Sequence, residues 1–193
     1  MQNLYQLFYH SDSVSIMERS ETEEIKGSML IGIVSDTHNQ RENLAWAAEC
    51  FRAQSILTVL HCGDVTHPEM LRALAGFEVY LAFGNGDNAT GAMDALLKRL
   101  NPANQAADQL NFSIADRSFL MMHGDRRAGL SRAILSGEYD YVIHGHTHRF
   151  RDEMVGNSRV INPGALGGVA YEPRSAAILD VGLGVLSKIS LDE

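Results

Sequence analysis

Seven side chains in this 193-residue sequence could do chemistry as a group: Asp36, His38, Asp64, Asn85, His123, His146 and His148. Each sits in a short polar segment that follows an apolar run: Asp36-Thr37-His38, Gly63-Asp64, Gly84-Asn85, His123-Gly124 and Gly145-His146-Thr147-His148. Short apolar runs closed by turn residues read as buried strands. In open α/β sheets, ligands gather outside the carboxyl ends of the strands. These segments therefore bring Asp, Asn and His side chains to one edge, which is what a metal site requires. Oxygen and imidazole donors without thiolate suit manganese, iron, zinc or nickel rather than calcium, magnesium or an iron–sulfur cluster. Seven donors are too many for one tetrahedral ion and suit two ions sharing a carboxylate. Two such cations about 3.5–4 Å apart can activate a bridging hydroxide and clamp a phosphoryl group for in-line displacement.

The elements that must position these residues follow from hydrophobic periodicity. Residues 29–34 read as a strand, and 40–54 as an amphipathic helix with Leu44, Ala47, Ala48 and Phe51 on one face. Residues 56–60 form a second strand, 67–75 a short helix, 78–83 a third strand and 92–100 another helix. That alternation is the βαβ unit of a parallel sheet. The second half predicts a hairpin of 109–114 and 117–122 turning at Ala115-Asp116, then a helix over 127–136. Strands at 141–143, 150–155, 158–162, 175–181 and 184–190 close the chain. The fold class is α/β with mixed sheets. Residues 1–28, polar and without strand–turn–helix logic, read as a dispensable N-terminal leader, and 29–193 as the functional domain.

The five ordered segments resemble the motifs of the calcineurin-like metallophosphoesterase superfamily, over roughly residues 29–190. The short length, the GHTH form and Asn162-Pro163-Gly164 resemble its small bacterial and archaeal phosphodiesterase branch. A eukaryotic relative of that branch is a retromer scaffold subunit. The resemblance implies a sandwich of two mixed β-sheets flanked by helices. It also implies two divalent ions, manganese first and iron, zinc or nickel as alternatives. On that pattern Asp36, His38 and His148 hold one ion, Asn85, His123 and His146 hold the other, and Asp64 bridges them opposite a hydroxide. Two positions depart from it. Gly86 stands where larger members carry a His acid, so the leaving oxygen is expected to depart without that donor, with Asp87 beside it as the alternative acid; Asp125 replaces the second His of an HGH segment.

Composition narrows the functional classes. A net charge of −8 disfavours a nucleic-acid partner, although bound cations would still admit a small anionic substrate. Residues 1–10 lack the features of a secretory signal, no apolar run is long enough to span a membrane, and Cys50 and Cys62 have no redox or metal spacing. A cytoplasmic protein, alone or as a homo-oligomer, fits this balance. The expected activity is hydrolysis of a small phosphodiester. A phosphomonoesterase or nucleotidase on the same metals is the first alternative, and a non-catalytic interaction scaffold the second. His61 and His144, one residue ahead of their motifs, are expected on the opposite strand face, outside the site. His67, Arg126, Arg127 and Arg174 are weaker candidates for substrate contact.

Overall fold

In a computed structural model, residues 29–191 are described, so the expectation for the leader, residues 1–28, lies outside the described residues. Strand β1 (Leu30–Val34) is followed by helix α1 (Arg41–Ala53), β2 (Thr58–His61) and a 3-10 helix (Pro68–Leu74). Then come β3 (Glu78–Ala82), α2 (Thr90–Leu100), β4 (Gln105–Ala107), β5 (Gln109–Ile114) and β6 (Arg117–Met122). The remainder is α3 (Arg127–Ser136), β7 (Tyr141–Ile143), β8 (Phe150–Val155), β9 (Ser158–Pro163), β10 (Ser175–Asp180) and β11 (Val185–Ser190). The strands form two mixed sheets, ordered β11-β10-β1-β2-β3-β4 and β5-β6-β7-β9-β8.

The alternation of buried residues explains the layers. One face of the first sheet, with Val34, Val59, Val79 and Leu81, packs against Leu44, Phe51, Met93 and Leu97 of the helices. Its other face, with Ile31, Ile33 and Leu60, meets Phe119, Met121, Ile143 and Ile161 of the second sheet. Helix α3 covers the far side of that sheet through Ala133 and Ile134 on Leu120, Val142 and Val160. Gly32 permits this packing, because a Cβ there would lie 2.5 Å from the Phe51 ring. Parallel pairing of β1 with β2 and β2 with β3, and of β6 with β7, puts their carboxyl ends side by side.

Two elements differ from the sequence expectation. The short helix after β2 is 3-10, with Pro68 in its first turn and His67 Nδ1 accepting the Glu69 N–H. Strand β4 is absent from the sequence reading: its three residues carry no apolar run, and they pair with β3 at the sheet edge. Among the described residues, no helix is long and apolar enough to cross a membrane.

Candidate metal centre

Backbone hydrogen bonds stitch the polar segment after β1 to that after β2, and the segment after β6 to that after β7. Asp36 N–H donates to Gly63 C=O at 2.9 Å, and His38 N–H to Asp64 C=O at 2.9 Å. Gly145 N–H donates to His123 C=O at 2.8 Å, and Gly167 N–H to Asp36 C=O at 2.7 Å. These links hold Asp36, His38, Asp64, His146 and His148 in left-handed backbone, with φ between 45° and 67°. For residues other than glycine that conformation costs roughly 1–3 kcal/mol each and persists where neighbouring structure dictates it.

The carboxylates are divided in use. Asp36 Oδ2 accepts Ser35 Oγ–H at 2.6 Å and His146 N–H at 3.0 Å. Its Oδ1 is buried without a hydrogen-bond partner, 3.3 Å from His148 Nε2 and 3.9 Å from His38 Nε2. Asp64 Oδ1 accepts Gly86 N–H at 2.7 Å, while Oδ2 lies 3.5 Å from both His38 Nε2 and His123 Nε2. The imidazoles are oriented from behind. His123 Nδ1 donates to Cys62 C=O at 2.7 Å, and His148 Nδ1 to Val169 C=O at 2.7 Å, which turns each Nε2 toward the carboxylates. Such backbone support is usual behind histidine ligands.

Two buried atoms without partners, Asp36 Oδ1 and His123 Nε2, are electron-pair donors aimed into this centre. Burial of such atoms is costly unless something satisfies them, and a divalent cation fits the donor set. Ligand atoms of Asp36, His38 and His148 lie within 4.8 Å of one another, as do those of Asp36, Asp64 and His123. The His146 ring meets that of His123 edge-on, with centroids 5.1 Å apart, and Asn85 lines a cleft together with His123. The structure thus brings five of the seven residues singled out in the sequence within ligand distance of one another in these two groups, with His146 beside His123 and Asn85 sharing its cleft.

The electrostatics agree with a site short of positive charge. Burial works against a charged His123, yet the Asp64 and Asp36 carboxylates outweigh it and push the ring up to about 9. Burial likewise opposes ionisation of Asp64, but His123, the Gly86 N–H and His38 hold its carboxyl at about 2. His148 is raised by the Asp36 carboxylate. A cation entering the site would take the place of these protons.

Asp87 has a different environment from that of an accessible proton donor. It is 7% exposed, and both its oxygens accept backbone N–H groups: Oδ2 from Asp64 at 3.0 Å and Gly84 at 2.8 Å, Oδ1 from Thr66 at 2.7 Å. The side chain joins the loop after β2 to the loop after β3.

Several supporting residues escape a reading of the sequence. His61, expected away from the site, is fully buried beneath it: Nδ1 accepts Gly63 N–H at 3.1 Å, so Nε2–H donates to Thr37 Oγ at 2.6 Å. Its signal is a histidine that must satisfy both ring nitrogens, but the partner lies 24 positions away. Asn162 donates to Gly145 C=O at 2.8 Å and Thr147 Oγ at 3.1 Å, holding the GHTH loop. His144, also expected outside the site, is buried beside Asn162 and Gly145. Arg174, a candidate phosphate contact in the sequence, donates instead to the carbonyls of Gly167 and Gly168, and so shapes the loop against His38 and His148. Arg126 is exposed and pairs with Asp108 at 3.2 Å.

This fold and donor set define a class of protein, and comparison with known proteins identifies the family. Residues 29–183 match the model of the calcineurin-like phosphoesterase superfamily domain, and the chain belongs to that superfamily. It is 36% identical over 154 residues to phosphodiesterase MJ0936 of Methanocaldococcus jannaschii, covering 79% of this chain and 93% of that protein. A solved archaeal phosphodiesterase superposes with a TM-score of 0.81 at 34% identity, over 84% of this chain and 100% of the other. The fold is shared with zinc-bound Vps29 of Entamoeba histolytica, at a TM-score of 0.60 and 20% identity, over 84% of this chain and 98% of that one.

Proposed function

We propose that the chain is a metal-dependent phosphodiesterase with two divalent cations, manganese being the ion to test first. Asp36, His38 and His148 would hold one, Asn85, His123 and His146 the other, and Asp64 would bridge them. The observation that carries this reading is the position of Asp64 Oδ2, 3.5 Å from an imidazole nitrogen of each set. Bound there, such a pair supplies Lewis-acid polarisation of the phosphoryl oxygens and lowers the pKa of attacking water. The chain's own residues do the positioning. Gly86 N–H and the Ser35 and His146 donors commit one oxygen of each carboxylate, leaving the other for the site.

The two residues after Asn85 favour a diester over a monoester. Gly86 offers no proton donor, and the oxygens of Asp87 are occupied by the backbone, so Asp87 acts as a clamp and not as the acid. General-acid help is worth about 10²–10⁴-fold where the leaving group is poor. Esters with acidic leaving groups need it least. The identity of phosphodiesterase MJ0936 as a 36% relative supports the same choice. The test is metal analysis of the purified protein, followed by hydrolysis of bis(4-nitrophenyl) phosphate and 4-nitrophenyl phosphate with Mn added. Two ions per chain and faster diester cleavage are expected. Faster monoester cleavage would make it a phosphomonoesterase, and no cleavage with two bound ions would favour a scaffold.

A further inference from the structure

A cleft of about 290 Å³ opens beside Asn85 and His123. Phe83 and Met122 form its apolar walls, and each lies within two residues of a proposed ligand, Asn85 or His123. The β3 and β6 strand ends that aim those ligands therefore also fix the walls relative to the metal centre. An apolar cavity of about 150 Å³ accepts a benzene-sized ring. The cleft has space for one substituted ring beside the phosphorus.

Gly129 adds a second observation. It lies in the first turn of α3 and lines the cleft. Glycine inside a helix is less favourable than alanine by about 1 kcal/mol. No steric reason demands it here, since a Cβ would meet only the Met122 methyl, at an ordinary 3.8 Å. What a side chain at 129 would do is occupy space in the cleft. The charges at the mouth point the same way. Among the described residues of the lining, Arg126 is the only guanidinium or ammonium group and is already paired with Asp108, while Asp125 adds a further carboxylate. A second anionic group would be repelled there.

Resting on the phosphodiesterase reading, we propose that this cleft holds one ester substituent of the substrate, and that the substituent is an uncharged aromatic group. Phe83 and Met122 supply its apolar contacts, and the absence of a side chain at Gly129 leaves its room.

The test compares phenylphosphonate with methylphosphonate, which present the same phosphonate head, by calorimetric titration into the Mn-loaded full-length protein. Ring burial should favour phenylphosphonate by about tenfold or more. In Gly129→Leu that ratio should fall to near one with the same Mn content, and Gly129→Ala should give an intermediate ratio. Equal binding of the two phosphonates by the native protein would overturn the cleft assignment and leave the phosphodiesterase reading standing. So would a full phenyl preference retained in Gly129→Leu. Failure of both phosphonates to bind would overturn the cleft assignment if Mn is retained, and would sink both readings if no Mn is retained.

Discussion

Asp87 accepts the backbone N–H of Asp64 at 3.0 Å, so a carboxylate in the loop after one strand holds a residue in the loop after the strand beside it. Its other donors are Thr66 and Gly84. Both Asp64 and Thr66 are left-handed, with φ of 56° and 71°, which the clamp helps to maintain. Asp87→Ala would leave three N–H groups, one buried and two part-buried, without their acceptor and should cost about 3 kcal/mol of stability by urea unfolding. Asp87→Asn keeps one acceptor oxygen and should fold, with weaker Mn binding. Its rate dependence on leaving-group pKa should match that of the native protein. A dependence that steepens in Asp87→Asn would restore Asp87 as the acid.

Asp64→Asn tests the bridge. Its Oδ2 stands between His38 and His123, so its loss should reduce bound metal from the proposed two ions to fewer than one per chain. Asn85→Ala should spare the ion held by Asp36, His38 and His148. In metal-free protein, Asp64→Asn should also lower the His123 pKa from about 9, because a carboxylate that favours its protonated ring is gone. Proton NMR titration of the imidazoles, with metal analysis of the same samples, gives both answers. Full metal content in Asp64→Asn would show that the carboxylate does not bridge.

Gly168 tests how closely the loop after β9 packs on the histidines. Its φ is +64°, and a Cβ would lie 2.6 Å from His38 Cδ2 and 2.7 Å from His148 Cε1. Gly168→Ala should therefore push the two rings aside and weaken Mn binding by about tenfold or more, with a modest loss of stability. Arg174→Ala, which frees the carbonyls of Gly167 and Gly168, should speed amide exchange in residues 164–173. Unchanged Mn affinity in Gly168→Ala would mean that the loop yields to the methyl group.

His61 sets a pH dependence of folding. Burial lowers its pKa from 6.5 to about 4, partly offset by Asp87 and Asp36, and burial holds His144 at about 4 as well. Between about pH 4 and pH 6.5 the unfolded chain binds more protons at these rings than the folded one. Stability therefore rises with pH across that window and is lost as pH falls through it. The His61 share should be on the order of a few kcal/mol. Urea midpoints of the metal-free protein at pH 4.5, 5.5 and 7 should climb steeply, and less steeply in His61→Gln. Parallel slopes for the two proteins would exclude His61 as a source.

Most of the strands and helices are legible in the sequence because each carries its own period. Leu44, Ala47, Ala48 and Phe51 repeat as a helix face, and helix α3 occupies the very span, 127–136, that its pattern predicts. The hairpin turn at Ala115-Asp116 is equally local: both residues adopt positive φ, the conformation a tight two-residue turn requires. Strand β4 is not legible, because three residues with no apolar run become a strand only when the open edge of β3 supplies their partners.

The seven candidate ligands were determined by the sequence itself, since donor type and position after an apolar strand are both written along the chain. Their supporting groups were decided only in three dimensions. His61 finds Thr37, Asp87 finds Asp64, and Asn162 finds Gly145 through loops that are distant in sequence and meet where strands end side by side. The left-handed backbone of Asp36, His38, Asp64, His146 and His148 belongs to the same class, because the tolerance of Asp and His for that region is too weak to select it alone. Hydrogen bonds between loops impose that backbone, and a bond between loops has no periodicity to read.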